Sequence, residues 1–461
     1  MKKKSILLII TLQIILLFNL AAQTSRPPYQ YPEQPEVLQK ITEWQELKFG
    51  LFMHWGPYSQ WGVVESWTLC PEDWPWNKRP ADKSYFQYVQ EYENLATTFN
   101  PVKFDPEKWV KAAGEAGMKY VVFTTKHHDG FNMFDTQQSD YKITGRSCPF
   151  NQNPRADVTR EIFNAFRKEN FMIGGYYSTT DWHHNDFWWD YFPPLNRNMN
   201  YSPLKYPEKW DRYNKFIYDQ LEELSTNYGK VDLLWFDLNG ISKEQKVNWQ
   251  PISGMLRKNQ PGIMMVVRGS NDQYENYRTP EQELPEHTLD YPWETCMTMG
   301  KKWSYNRNDE FKSSFELIRT LVKIVSMGGN LLLNIGPGPE GDFHPTAYER
   351  LAAIGDWMKI NGEAIHGTKP IEPFHETKIA FTRNLKNVYA FYLPEENEMK
   401  MPARIPITSV QPLQGTKVYL LGYNKALSWK KIDKGFEINI PAELQNRPIT
   451  EGAWAFKFQI Q

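Results

Sequence analysis

Asp237 is the residue whose position most strongly indicates chemistry. It follows an apolar run at residues 233–236, where a buried strand has no use for a carboxylate unless that group faces a pocket. Its alternative role is to cap a helix that begins after Asn239. Cleavage of a glycosidic bond needs two carboxyl groups, one as nucleophile or base and one as proton donor. Three candidates for the second group are Glu281 in RTPEQ, Glu294 in PWETC and Glu65 in VESW.

Two pairs of adjacent histidines raise the question of a metal site. His127 and His128 precede Asp129, and His183 and His184 form the second pair. Adjacent strand residues point to opposite faces, so the two members of a pair rarely hold one ion. The sequence also lacks a helical His-x-x-x-His motif with a carboxylate partner. Neutral imidazoles that bond sugar hydroxyls, or histidines bonded within the core, are the better interpretations, and we expect neither a metal nor another cofactor.

Short apolar runs alternate with amphipathic helical patterns between residues 36 and 368. Six runs are typical of buried strands: residues 51–55, 120–125, 172–177, 233–236, 263–267 and 331–335. This alternation predicts parallel strands joined by crossover helices. Polar residues such as His54, Asp237 and Arg268 follow the runs, and catalytic groups of β/α barrels lie at those strand ends.

The sequence therefore predicts an α/β fold, a TIM-like (β/α)8 barrel over residues 36–368. An open doubly wound sheet is the alternative, but no glycine-rich phosphate loop follows the first strand. After about residue 370 the helical patterns stop, and alternating segments such as KIAFTRNL and VYAFYLP are separated by Pro, Asn and Gly. These segments predict a small antiparallel β-sandwich over residues 372–461.

The first residues, MKKK followed by SILLIITLQIILLFNLAA, are typical of a signal peptide over residues 1–22. A single membrane anchor is the alternative, but the run is short and no basic stop-transfer segment follows it. The sequence therefore predicts a secreted or periplasmic protein without membrane attachment after cleavage. The three cysteines are far apart, and their odd number leaves at least one thiol free.

The charge balance argues against nucleic acid as a partner. The chain has 53 Lys and Arg against 54 Asp and Glu, so nothing in its net charge attracts a polyanion or an anionic membrane. Aromatic residues make up 15% of the chain. Flat aromatic faces suit the apolar face of a sugar, although most of these rings must belong to the core.

Several longer motifs occur together and in order: FGLFMHWGPYS, FDPEKWVKAAGEAGMKYVVFTTKHHDGF, GGYYSTTDW, DLLWFD, RTPEQ, PWETCMTM with WSYN, and GGNLLLNIGPGPEGDF. With these motifs, residues 40–370 resemble the α-L-fucosidases of glycoside hydrolase family 29. The resemblance implies a barrel followed by a β-sandwich, and release of terminal fucose from fucosylated oligosaccharides or glycoconjugates, with retained configuration and no cofactor. The chain departs from the family pattern in VESWTLCPEDWPW, in WSYN and in the Leu-Asn-Gly after DLLWFD, all on loops around the site.

The resemblance also assigns roles to residues. It implies that Asp237 is the nucleophile and that Glu281 is the acid/base. Glu294 is the second choice for the acid/base and is otherwise expected to contact the substrate. A structural role for Glu294, as a strand-end carboxylate bonded to neighbouring backbone or Arg, is slightly favoured over catalysis. The residues implied to line the fucose pocket are His54, Glu65, Trp67, His127, His128, Tyr177, Trp235 and Arg268. Two other functions remain open at this point, a sugar-binding protein on an inactive barrel and a metal-dependent hydrolase.

Overall fold

The structure, a computed structural model, describes residues 27–237, 246–398, 400–446 and 448–460. The predicted signal peptide at residues 1–22 lies outside these ranges. Seven parallel strands form one sheet in the order β5-β4-β3-β2-β1-β7-β6. They are β1 (Phe49–Met53), β2 (Tyr120–Lys126), β3 (Met172–Ser178), β4 (Leu233–Asp237), β5 (Met264–Val267), β6 (Glu294–Thr298) and β7 (Asn330–Asn334).

Helices connect these strands along the chain. They are α1 (Pro35–Leu47), α2 (Tyr85–Glu93), α3 (Pro106–Glu115), α4 (Val158–Lys168), α5 (Pro207–Asn227), α6 (Trp249–Asn259), α7 (Ser314–Ser326) and α8 (Pro345–Asn361). Short 3-10 helices occur at Pro57–Gln60, Trp67–Leu69, Asn94–Thr97, Pro149–Gln152 and Gly362–Ala364. Every residue of the seven strands is buried except Met172, which is half-buried. Helices outside and packed side chains inside explain why the strand runs are apolar on both faces.

The eighth position of the barrel is filled by an irregular segment, residues 275–282. On one side Asn276 donates its backbone N–H to the carbonyl of Met265 in β5, at 2.9 Å. On the other side the backbone N–H groups of Glu294 and Cys296 in β6 donate to Arg278 and Pro280. The segment therefore closes the ring, which confirms the predicted TIM-like barrel.

Two features of this closure were not evident from the apolar runs. Strand β6 has the sequence ETCMT, which contains too few apolar residues to stand out as a buried strand. The closing segment contains Pro280, which has no N–H to donate, so it forms isolated bridges to β5 and β6 instead of a continuous ladder.

The C-terminal region consists of two antiparallel sheets. Six strands pair in the order β13-β12-β16-β10-β9-β8, and three in the order β11-β15-β14. These strands are β8 (Lys369–Glu376), β9 (Ile379–Arg383), β10 (Val388–Tyr392), β11 (Arg404–Ile407), β12 (Val418–Leu420), β13 (Ala426–Leu427), β14 (Trp429–Lys431), β15 (Phe436–Asn439) and β16 (Trp454–Phe458), with one short helix, α9 (Ala442–Gln445). The predicted β-sandwich is confirmed, and its first strand begins three residues before the predicted start.

The sandwich has its own core and is tied to the barrel by hydrogen bonds. Phe381, Ile405, Ile438 and Phe456 belong to one buried cluster that draws on both sheets. The indole of Trp357 in α8 also donates to a sandwich carbonyl at 2.9 Å. Among the described residues no helix has the length and apolar content needed to cross a membrane. Cys70, Cys148 and Cys296 are all buried and unpaired.

Candidate active site

A cavity of about 390 Å³, counted with the part that opens to solvent, lies at the carboxyl ends of the barrel strands. Parallel strands bring all their carboxyl ends to one rim, so side chains far apart in sequence meet there. The lining residues are Phe52, His54, Glu65, Trp67, His127, Tyr176, Trp235, Asp237, Arg268, Glu281, Cys296 and Trp303. Eight of them are residues that the sequence analysis had selected.

Asp237 is the last residue of β4 and is 7% exposed. Its Oδ2 accepts a hydrogen bond from the hydroxyl of Tyr176 at 3.2 Å and lies 3.7 Å from Nε2 of His128. Its Oδ1 lies 3.8 Å from a guanidinium nitrogen of Arg268. These groups hold the carboxylate at one side of the cavity. The alternative role as a helix cap concerns residues after 237 that lie outside the described ranges.

Arg268 links two carboxylates across the pocket. Besides its contact with Asp237, its guanidinium donates to Oε2 of Glu281. Burial alone would lower the pKa of Arg268, but the negative charges of Asp237 and Glu281 raise it. The Glu281 side chain is 37% exposed, so it stands at the rim of the pocket while Asp237 is buried. One cation thus brings two carboxylates into a single pocket and offsets their mutual repulsion.

Glu65 is a third carboxyl group in the same cavity. Its backbone has a φ of 35°, a left-handed conformation that side-chain-bearing residues rarely adopt, and such strain is concentrated at functional sites. Its Oε1 accepts from the backbone N–H of Ser304 at 2.7 Å. Burial, with a smaller contribution from the charge of Glu281, raises the pKa of Glu65 to about 8, although hydrogen bonds from Ser304 act in the opposite direction. At neutral pH the Glu65 carboxyl is therefore protonated and can donate a hydrogen bond into the pocket.

Glu294, also selected from the sequence, does not line the cavity. It is the first residue of β6, so it lies at the amino end of its strand, whereas the pocket lies at the carboxyl ends. It is fully buried, and its Oε2 accepts from the hydroxyl of Tyr120 at 2.6 Å. The expectation that Glu294 touches the substrate is therefore corrected. Glu294 is only two residues from Cys296, which lines the cavity, because β6 is only five residues long.

Burial raises the pKa of Glu294 to about 8, although hydrogen bonds from Tyr120 and Tyr277 act in the opposite direction. The native state therefore holds this proton more tightly than the unfolded chain, whose glutamates titrate near 4.5. The contribution of Glu294 to stability is full below about pH 4.5 and is lost as the pH rises to about 8, with a slope of at most about 1.4 kcal/mol per pH unit for one proton.

We expect Glu294→Gln to remove this pH dependence, because an amide does not titrate. The melting temperature of the variant, relative to that of the wild type, should rise as the pH is increased from 5 to 8. Glu286→Gln, at an exposed position, is the control and should leave the difference flat. Thermal melts at several pH values measure both, and a constant difference for Glu294→Gln would show that Glu294 is ionised in the folded protein.

The three histidines at the rim are buried and neutral. Nδ1 of His54 is paired with Oδ1 of Asn334 at 2.8 Å, and Nδ1 of His128 with the hydroxyl of Ser178 at 2.6 Å. Burial lowers the pKa of His54 and of His128 to about 4, and that of His127 well below its ordinary value. Each ring is fixed through one nitrogen, as expected for imidazoles that bond a neutral polar ligand.

The other histidine pair lies elsewhere. His183 contacts Glu93 with its Nδ1 at 2.8 Å and stacks on Tyr141, while His184 packs against Phe216. Across the described ranges no group of three or more His, Cys, Asp or Glu side chains is arranged to hold a metal ion.

Tyr177 was selected from the sequence, but its neighbour Tyr176 lines the pocket. Tyr177 donates its hydroxyl to Gln220 of α5 at 2.8 Å, and the ammonium group of Lys126 lies over its ring. Tyr176 faces the barrel interior and donates to Asp237. Successive strand residues point to opposite faces, so in the pair only one tyrosine can face the site, and the sequence did not tell which.

Four lining residues were not selected from the sequence: Phe52, Tyr176, Cys296 and Trp303. Trp303 lies in the WSYN motif and Cys296 in PWETC, so both residues could have been selected from these motifs. Phe52 belongs to an apolar run, where nothing distinguishes a pocket wall from the core. His128, in contrast, was selected from the sequence but does not line the cavity itself. It contacts Asp237, which does.

Comparison with known proteins places the whole chain in one family. The family model described as Alpha-L-fucosidase matches residues 16–363, and the model described as Alpha-L-fucosidase C-terminal domain matches residues 373–459. The chain is 31% identical to tissue alpha-L-fucosidase of Homo sapiens over 483 residues, which cover 97% of this chain and 96% of the human protein.

Solved structures agree with this. Alpha-L-fucosidase isoenzyme 1 from Paenibacillus thiaminolyticus superposes with a TM-score of 0.75 and 29% identity, covering 92% of this chain and all of that one. The alpha-fucosidase of Thermotoga maritima in complex with a mechanism-based inhibitor gives a TM-score of 0.73 and 27% identity, covering 93% of this chain and all of that one. The chain therefore belongs to the α-L-fucosidase family, glycoside hydrolase family 29.

Proposed function

We propose that the chain is an exo-acting, retaining α-L-fucosidase in which Asp237 is the nucleophile and Glu281 the acid/base. One observation carries these roles: Arg268 contacts both carboxylates within one pocket, with Asp237 buried and Glu281 at the rim. Retaining glycosidases need two carboxyl groups about 5–5.5 Å apart. The contacts of Arg268 with Asp237 and Glu281 bring two carboxyl groups into one pocket, as this mechanism requires.

In the first step, Asp237 attacks the anomeric carbon of the fucosyl group. The bond from that carbon to the leaving oxygen breaks, and the oxygen takes the proton of Glu281. The product is a fucosyl ester on Asp237. In the second step, Glu281 removes a proton from water as the water attacks the same carbon, and the carboxylate of Asp237 is released. Two inversions leave the configuration of fucose unchanged.

The remaining lining residues suit fucose, which has several hydroxyls and one methyl group. The neutral imidazoles of His54, His127 and His128 and the protonated carboxyl of Glu65 are suited to bonding hydroxyls. Trp235 lies between Phe52 and Tyr176, with ring centroids 5.4 Å from each. This aromatic wall is suited to the methyl group.

The shape of the pocket supports exo action. Asp237 is buried on its inner side and Glu281 stands at its rim, so the pocket leads inward from the surface, which suits one terminal sugar. The substrates are then fucosylated oligosaccharides or glycoconjugates with fucose at a non-reducing end. We also propose that residues 1–22 direct export, so that the enzyme meets its glycans outside the cytoplasm.

The test is turnover of an aryl α-L-fucoside followed by NMR of the first-formed product. We expect α-L-fucose to appear first, which demonstrates retention. Activity should also survive exhaustive treatment with EDTA, because two carboxyl groups suffice for this chemistry. Initial formation of the β-anomer would exclude double displacement, and loss of activity that Zn²⁺ or Ca²⁺ restores would favour a metal-dependent hydrolase. Binding of fucose without turnover of any fucoside would favour a sugar-binding protein.

A further inference from the structure

A cluster of tryptophans extends outward from the fucose pocket. Trp67 lines the pocket, and its ring meets those of Trp74 and Trp76 edge-on, with centroids 5.7 and 5.6 Å away. Trp74 and Trp76 stack on each other at 4.9 Å with an angle of 9° between their planes. We call these three residues the tryptophan platform. It lies in the segment VESWTLCPEDWPW.

A second loop supports the platform. Trp182, in the loop after β3, meets Trp67 edge-on at 5.5 Å. Arg197 of the same loop holds its guanidinium 4.4 Å from the ring centroid of Trp74, a cation–π contact. Nε and the backbone N–H of Arg197 both donate to Oε2 of Glu72, at 3.2 and 3.0 Å. Arg197 thereby joins the loop after β3 to the loop that carries the platform.

The backbone of the platform is also fixed. Asn77 is 1% exposed, and its Oδ1 accepts from the backbone N–H of Trp74 at 3.0 Å. Its Nδ2 donates to the carbonyls of Trp67 and Glu72 at 3.2 and 3.1 Å. One buried amide thus holds the backbone at Trp67 and at Trp74, the ring on which Trp76 stacks.

Trp76 is nevertheless 48% exposed, although indole is among the most costly groups to leave in water. We propose that Trp76, stacked on Trp74, binds the pyranose ring that lies beyond the fucose in the substrate, so that the platform is an additional sugar subsite. A pyranose has an apolar C–H face that suits a flat indole. The positive charge of Arg197 is already paired with Glu72, which favours a neutral sugar. Continuity with the fucose pocket through Trp67 identifies the occupant as part of the same substrate.

This inference rests on the proposed function, and the experiment separates the two. The enzyme is assayed with α-L-fucosyl fluoride, which has no second sugar, and with a neutral fucosylated trisaccharide that the wild type cleaves. For Trp76→Ala we expect the ratio of kcat/KM for the trisaccharide to that for the fluoride to fall roughly tenfold, equivalent to about 1.4 kcal/mol. The loss should appear mainly in KM. Trp76→Phe, which keeps a ring, should recover most of the ratio.

Phe86→Ala is the matched control, since Phe86 is 68% exposed and lies outside the platform. It should leave the ratio at the wild-type value. An unchanged ratio in Trp76→Ala, or an equal fall in Phe86→Ala, would overturn the subsite. Failure of the wild type to hydrolyse the fluoride would instead contradict the proposed function. A lower melting temperature of Trp76→Ala with an unchanged ratio would assign Trp76 to folding alone.

Discussion

Asp237→Ala is expected to lower kcat for an aryl α-L-fucoside by roughly 10⁴-fold or more, because the variant lacks the proposed nucleophile that forms the covalent intermediate. The carboxylate lies at the end of β4, and its neighbours have other contacts: Tyr176 stacks on Trp235, His128 is paired with Ser178, and Arg268 with Glu281. The variant should therefore stay folded, which circular dichroism and a thermal melt would verify. Steady-state kinetics at saturating substrate measure the loss.

The addition of azide gives a second test of the role of Asp237. In Asp237→Ala the small anion can occupy the vacated space and attack the anomeric carbon directly, which inverts the configuration once. We expect azide to restore activity on an activated fucoside and to yield the β-fucosyl azide, identified by NMR.

A 2-deoxy-2-fluoro-fucosyl fluoride should also label the wild type on a peptide that contains LLWFD. The fluorine slows hydrolysis of the ester, so the intermediate accumulates. A label on Glu65, Glu281 or any other carboxyl group would refute the assignment of Asp237.

Glu281→Ala should show the second largest effect, and the effect depends on the leaving group. A general acid typically contributes 10²- to 10⁴-fold when the leaving group is poor. We expect a loss of about that size on a natural oligosaccharide and a far smaller loss on an aryl fucoside with an acidic phenol, which needs no proton. The alkaline limb of the pH profile should disappear with the acid. Kinetics on both substrates across pH measure these effects.

The second step provides an independent check, because Glu281→Ala also lacks the base that activates water. Azide needs no base, so it should accelerate turnover of the activated substrate and yield the α-fucosyl azide, with retained configuration. The two azide products thus distinguish the roles of Asp237 and Glu281 by stereochemistry alone.

Glu294→Ala is the matched control for Glu281→Ala. Its carboxyl group is buried against Tyr120 and does not line the pocket, so the variant should lose stability without azide rescue. If azide rescues Glu294→Ala and not Glu281→Ala, the two roles are exchanged. If it rescues neither, Glu65 becomes the proton donor to test, because it lines the pocket and is protonated at neutral pH.

The fold and most of the pocket could be predicted from local patterns. Buried parallel strands are continuous apolar runs, and all their carboxyl ends meet at one rim. The residues that follow those runs, such as His54, Asp237 and Arg268, were therefore expected to lie together, and all three line the cavity. The motifs also indicated the family and the chemistry expected of it, because the order and spacing of motifs can be read from the sequence itself.

Other features depend on how distant segments meet. Tyr176 contacts Asp237 because it lies on the face of β3 that is directed to the barrel interior. Tyr177 lies on the other face and contacts Gln220 instead. The irregular segment that closes the barrel brought Glu281 beside Arg268 and left Glu294 at the opposite end of β6.

The sequence by itself determined the barrel, the sandwich, the family and the position of Asp237 at the end of a barrel strand, because each follows from local periodicity or from an unbroken motif. Only the tertiary structure decided which glutamate stands at the mouth of the pocket, which one is buried away from it, and that Trp74 and Trp76 pack against Trp67 of the pocket wall. The physical reason is that contacts between loops depend on barrel closure and side-chain direction. Both are set by packing across the whole domain and leave no periodic trace along the chain.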